Sequence, residues 1–200
     1  MQFIDDIDAL EALYGAPVPA ALTKVTPVLT PLYRAWISAA RFCVLSTVGP
    51  EGADASPRGD DGPVARIVDE RTLWLPDWRG NNRIDTLRNI VRDGRIAVMF
   101  MVPGSNNVVR VNGRARLTAD SSATGQFEQR GKNPGSVIVI RAEEVYFQCA
   151  KALMRAGFWT RKGDANGLPS AGQFIREMQA GFDADSYDAG YADHARGRMW

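Results

Sequence analysis

A chain of 200 residues, 45% hydrophobic and 24% charged, has the make-up of one globular domain with a full core. Its net charge of +1 excludes global attraction to nucleic acid or an anionic membrane, so any anion must be recognised locally. No apolar run is long enough for a membrane span, and the single histidine, His194, argues against histidine metal sites and a Ser-His-Asp triad.

The opening stretch, "MQFIDDIDALEALYG", predicts a helix over residues 3–14, with Ile4, Ile7, Leu10 and Leu13 spaced by threes. It is acidic and lacks the basic start of a signal peptide. Pro17, Pro19, Pro27 and Pro31 punctuate a connector, and "PLYRAWISAA" (31–40) reads as a helix begun by proline. "RFCVLSTVG" is a strand that ends at Gly49-Pro50. Cys43 within it reads as a buried free thiol, which fits a reducing cytoplasm. "ADASPRGDDGP" (53–63) is short and turn-laden, and "ARIVDERTLWLPD" reads as two strands joined around Asp69-Glu70-Arg71.

A helix is then expected over about residues 81–93, with Ile84, Leu87, Ile90 and Val91 as its apolar stripe and Gly94 as its stop. "RIAVMFMVPG" is a continuous apolar run, as in a strand buried on both faces. "NNVVRVNGRARLT" alternates: Val109, Val111, Gly113, Ala115 and Leu117 face one way, Arg110, Asn112, Arg114 and Arg116 the other. A short helix over residues 120–130, a long strand in "SVIVIRAEEVYFQCA" and a helical "KALMRAGFW" follow. Residues 170–200 read as one or two amphipathic helices. About six strands with few helices between them argue for a mainly antiparallel sheet curled into a barrel, with helices at its ends.

One corner concentrates donors. In "LPDWRGNNRIDTLRNIV" (75–91) a strand hands over to a helix through Arg79, Gly80, Asn81, Asn82 and Arg83. A helix N-terminus offers unpaired amides, glycine permits close approach, and arginine supplies a fixed fork of donors. The stretch reads either as a phosphate seat or as a capped helix with two surface arginines. Arg58, in "SPRGDDG", sits at a strand end beside a rigid turn and either contacts an anion or pairs with Asp60 or Asp61. Arg110 lies mid-strand, while Lys151 and Arg155 share a helix face near Cys149. Trp74, Trp78 and Trp159 are core residues or platforms for a flat ring. Glu143 and Glu144 adjoin in a strand and so cannot form an acid–base pair, and no Walker loop or glycine-rich dinucleotide fingerprint is present. Cations and aromatics without a dedicated acid or base suggest a cofactor that brings its own reactivity.

"SPRGD" (56–60), "RTLWLPDWRGNNRIDTLRNI" (71–90), "RVNGRARL" (110–117) and "FQCAKALMRAGFW" (147–159) together resemble the pyridoxamine 5'-phosphate oxidase-like flavoproteins, in a bacterial branch with "GNNR" and "CAKA" segments. The resemblance implies a six-stranded antiparallel split β-barrel with peripheral helices, and FMN bound at a homodimer interface lined by both chains. It implies one domain over residues 1–200, with a helical extension at 1–40, a barrel core at 42–159 and a helical tail at 170–200. Arg58 resembles the arginine that meets the FMN phosphate, Asn81, Asn82 and Arg83 fall in the phosphate turn, and Pro76 and Asp77 fall where backbone groups meet the flavin ring. The oxidase's Ser-Arg-Lys turn is replaced here by Gly80-Asn81-Asn82, which shifts weight to Arg79 or Arg83. Arg110, Lys151 and Arg155 match the branch's own motifs, and Gln148 stands where relatives often carry histidine. The implied function is an FMN-dependent oxidoreductase with a small-molecule substrate or nicotinamide donor. The alternative is a flavin carrier or sensor without turnover. A deazaflavin- or haem-handling relative on the same barrel is a third reading, in which haem is poorly served by one tail histidine, and the Arg110–Arg116 strand face lacks the interleaved aromatics of a nucleic-acid binder.

Overall fold

The computed structural model describes residues 1–199. Capping side chains set the first boundary. Asp6 accepts the amide protons of Asp8 and Ala9 at 3.2 and 3.3 Å, so α1 (Ile7–Tyr14) starts at residue 7 rather than residue 3. None of its side chains is buried, which leaves Ile7, Leu10 and Leu13 exposed. α2 (Pro19–Thr23) and α3 (Pro31–Ala39) both begin on proline, whose missing N–H costs nothing there. The connector between them is pinned to the barrel by reciprocal bonds between Thr26 and Val145, at 3.0 and 2.7 Å.

The seven strands are β1 (Phe42–Gly49), β2 (Gly52–Gly59), β3 (Arg66–Ile67), β4 (Thr72–Asp77), β5 (Arg95–Met101), β6 (Val108–Thr118) and β7 (Ser136–Gln148). They form one sheet in the order β2-β1-β5-β6-β7-β4-β3, with every pairing antiparallel. The architecture is mainly β with peripheral helices, as expected, with seven strands rather than six. The added strand is β2, the segment that reads in sequence as turn-laden. Pro57 and its small neighbours hide it, yet an edge strand tolerates a residue without an amide proton. The sheet curls until its two ends face each other. An Arg58–Asp77 ion pair links β2 to β4, and Trp78 Nε1 donates to Asp60 just beyond β2.

Leu45, Leu73, Leu75, Val98, Phe100, Val111, Ile138 and Ile140 fill the interior, and Ile37 from α3 plugs it. Each contributes about 1.5–3 kcal/mol through burial. β6 keeps the expected alternation, with Val109, Val111, Gly113 and Ala115 inward and Arg114 and Arg116 exposed. β5 departs from expectation: Ala97 and Met99 are only half-buried, so its continuous apolar run still has an inner and an outer face.

The remaining helices are α4 (Asp85–Arg92), α5 (Ser121–Thr124), α6 (Lys151–Ala156), α7 (Ala171–Met178) and α8 (Ala184–Arg196). α5 is one turn, far shorter than the expected 120–130, because the chain turns into a Gln129–Lys132 bridge. The tail forms two helices packed on each other, locked where Asp188 accepts from Ser170 Oγ and the Gly172 amide. Trp200 lies outside the described residues. No helix among the described residues is long and apolar enough to cross a membrane.

Cys43 is fully buried and its thiol is pushed up to about 12, since burial outweighs the attraction of nearby Arg58. The unfolded thiol, near 9.0, ionises first, so the folded state holds the proton longer. This stabilisation is present below pH 9 and is lost as pH rises towards 12. A thermal melt series over that range should therefore show a falling midpoint, less steep in Cys43→Ala. At pH 8 a thiol reagent should label only the exposed Cys149 until the protein is denatured.

Candidate functional site

A cavity of about 970 Å³ lies at the split, walled by β2, the end of β4, the turn after it and the first turn of α4. Chain geometry creates the corner. β4 ends at Asp77, and the chain does not enter α4 until Asp85, four residues later than the pattern suggests. The delay follows from the backbone: Asn82 and Ile84 both adopt left-handed conformations, at φ 62° and 53°. Such a conformation strains a β-branched residue and cannot continue a helix. Asn81 does not cap the helix. Its Oδ1 accepts from the Arg83 amide at 3.0 Å in a local turn, and no side chain caps Ile84. The first amides of α4 are thus left at the cavity without a capping side chain.

Polar contacts fix α4 in place. The expected stripe is corrected: Ile84 and Val91 are exposed, while Thr86, Asn89 and Ile90 face inward. Thr86 donates to the Asp54 carboxylate on β2, and Asn89 Nδ2 donates to Thr47 Oγ1 on β1 at 3.2 Å. Gly49 makes room for Asn89, since a Cβ there would lie 2.2 Å from its Oδ1. Asn89→Ala should cost about 1–2 kcal/mol in a denaturant melt, through the lost bond and the space left behind.

Seven of the ten residues singled out from the sequence line this cavity: Arg58, Pro76, Asp77, Arg79, Asn81, Asn82 and Arg83. Arg58 does not pair with Asp60 or Asp61. It pairs with Asp77 across the split, each side chain about one-fifth exposed, and its Nε is buried without an acceptor. Asp60 instead holds Trp78 Nε1 at 2.8 Å and Gln129 Nε2 at 2.6 Å. This fixes Trp78 at the cavity wall. Arg83 is exposed and ion-paired with Asp85. A Cβ on Gly80 would meet no atom within 4 Å, so packing within the chain does not demand that glycine.

The other three residues lie elsewhere on the chain. Arg110 sits on β6 with its guanidinium 5.3 Å from the centre of the Tyr146 ring. Lys151 and Arg155 are exposed on α6, which begins two residues after Cys149. Trp159 donates to the Ser105 carbonyl at 2.8 Å, and Trp74 lies mid-strand opposite Val139. Sequence reading missed Asp54 and Thr86. Neither carries a local signal, because their contact joins residues 32 positions apart.

The lining suits an organic phosphate with an attached ring system. The cavity is within the size range of cofactor sites, one arginine Nε lacks an acceptor, uncapped helix amides sit at one end, and an anchored indole forms part of the wall.

Among solved structures, the chain is similar to HupZ of Group A Streptococcus, at 20% identity over 56% of this chain and 90% of that one, with a TM-score of 0.45. General Stress Protein 26 of Bacillus anthracis is 19% identical over 57% and 88%, with a TM-score of 0.44. An FMN-binding protein of Syntrophomonas wolfei is 10% identical over 72% and 97%, also with a TM-score of 0.44. No curated protein matches the chain. The family profile described as pyridoxamine 5'-phosphate oxidase matches residues 29–149, from the end of the proline-rich connector to the end of β7. That is more than half of the chain and takes in every strand and the corner cavity, and the chain therefore belongs to the pyridoxamine 5'-phosphate oxidase family.

Proposed function

We propose that this chain is an FMN-dependent oxidoreductase that acts as a cytoplasmic homodimer. The whole chain would be one domain, with its 42–159 core carrying the cofactor. The observation that carries this reading is the coincidence of the family match with a corner cavity in which a largely buried arginine keeps one donor without an acceptor. Arg58 would hold the phosphate together with the first amides of α4. Arg79, Arg83, Asn81 and Asn82 would close the seat, and backbone groups of Pro76 and Asp77 would lie beside the ring with the Trp78 side chain. FMN, when bound, supplies reversible two-electron chemistry between a donor such as reduced nicotinamide and a small-molecule substrate. The chain's own task is to grip, orient and screen the ring. Arg110, Lys151 and Arg155 lie outside the cavity of their own chain, and in a homodimer they would serve the partner's site.

A second reading, a flavin carrier or sensor without turnover, is favoured by one feature. No histidine, cysteine, lysine or tyrosine is among the residues that line the cavity. An absorption spectrum of the purified protein, followed by reduced nicotinamides, separates the two. Flavin bands bleached by the donor support the oxidoreductase, flavin bands inert to every donor support the carrier, and a protein that cannot be loaded with flavin contradicts both.

A further inference from the structure

The cavity is not an open basic funnel. Its lining carries three arginines, Arg58, Arg79 and Arg83, and three carboxylates, Asp54, Asp77 and Asp85. Asp54 is engaged by Thr86, and Asp85 by Arg83 at the exposed rim. Asp77 differs from both. It is only about one-fifth exposed, it holds the most buried of the three arginines, and it does so where the two ends of the sheet meet. An anion that approaches Arg58 finds Nη1 already paired with a carboxylate, while Nε is buried without an acceptor.

We propose that Asp77 is a resident competitor for the phosphate seat, so that a phosphorylated flavin must displace it from Arg58 and binds less tightly than the arginine alone would allow. The proposal rests on the FMN reading above and adds the residue that holds its affinity down. A phosphate dianion carries enough charge to draw Arg58 from a single carboxylate, because charge-assisted, bidentate contacts to guanidinium are the strong ones. Riboflavin has no charge with which to do so and leaves the Arg58–Asp77 pair in place. The exchange also has a structural consequence. The ion pair spans the split, so bound phosphate takes over the cross-link that Asp77 provides in its absence.

Titration of FMN and of riboflavin into the full-length protein stripped of flavin, read by quenching of flavin fluorescence, tests this. Asp77→Asn keeps the shape and removes the negative charge that faces the phosphate. It should bind FMN about tenfold more tightly, the effect of relieving one like-charge contact, while riboflavin affinity stays within about twofold. Asp77→Ser should behave the same way and guards against a folding defect in either variant. If wild type binds FMN and both variants bind it no better, the competitor role is overturned while the FMN reading stands. If wild type binds neither flavin, the reading itself fails and the proposal falls with it. A crystal of the wild-type FMN complex gives an independent readout. Arg58 turned from Asp77 to phosphate supports the exchange, and an intact Arg58–Asp77 pair with phosphate seated elsewhere overturns it.

Discussion

Arg58→Ala should weaken FMN binding by about 2 kcal/mol, roughly thirtyfold, the scale of a lost hydrogen bond to a charged group. Arg58 is the one arginine of the cavity that is largely buried, so its contact with a ligand is screened least by solvent. Arg79 and Arg83 are exposed, and their replacement should cost well under half as much. The variant also leaves the Asp77 carboxylate in the cavity with no guanidinium beside it, which repels phosphate further. Equilibrium titration by flavin fluorescence measures the loss, and dialysis gives a coarse version: wild type keeps its flavin and the variant sheds it. Equal retention by both would refute the role of Arg58.

Gly113→Ala should destabilise the fold by about 3 kcal/mol, at the upper end for overpacking. The register between β6 and β7 shifts at Asn112/Gly113, and there the two backbones come unusually close. A Cβ on Gly113 would lie 2.1 Å from the Arg141 carbonyl oxygen, 3.1 Å from its carbon and 3.2 Å from the Ala142 Cα. All three are backbone atoms, so no side chain can swing aside. β6 and β7 form the longest strand pair of the sheet, and a shift there would disturb the wall that carries Val111 and Ile140. A urea melt should show a lower midpoint with the slope unchanged. A midpoint equal to wild type would mean that the bulge can open freely. The cause here is steric, since Gly113 has no positive φ.

These two residues mark what the sequence could and could not disclose. The strands rich in β-branched residues were legible because alternation and burial coincide, as in β6. β2 was not, because an edge strand of small residues with a proline buries no side chain and leaves no apolar pattern. α4 starts later than its periodicity suggests for a related reason. Asn82 and Ile84 take left-handed conformations that helix periodicity does not register, and the inward face of the helix is partly polar. Arg58 and the turn after β4 stood out as charged residues beside turn signals. Their meeting in one cavity is a property of the curled sheet, as is the choice of Asp77 over the adjacent Asp60 and Asp61 as the partner of Arg58. In sequence Gly113 is only one of the inward-facing residues of an alternating strand, because nothing local announces that another backbone passes within reach.

A crystal structure of this protein grown with FMN tests the central claim most directly. The account predicts density for the flavin in the corner cavity, with phosphate oxygens within hydrogen-bonding distance of Arg58 and of the first amides of α4. A corner left vacant at saturating FMN, or a flavin whose phosphate sits away from Arg58, would contradict it.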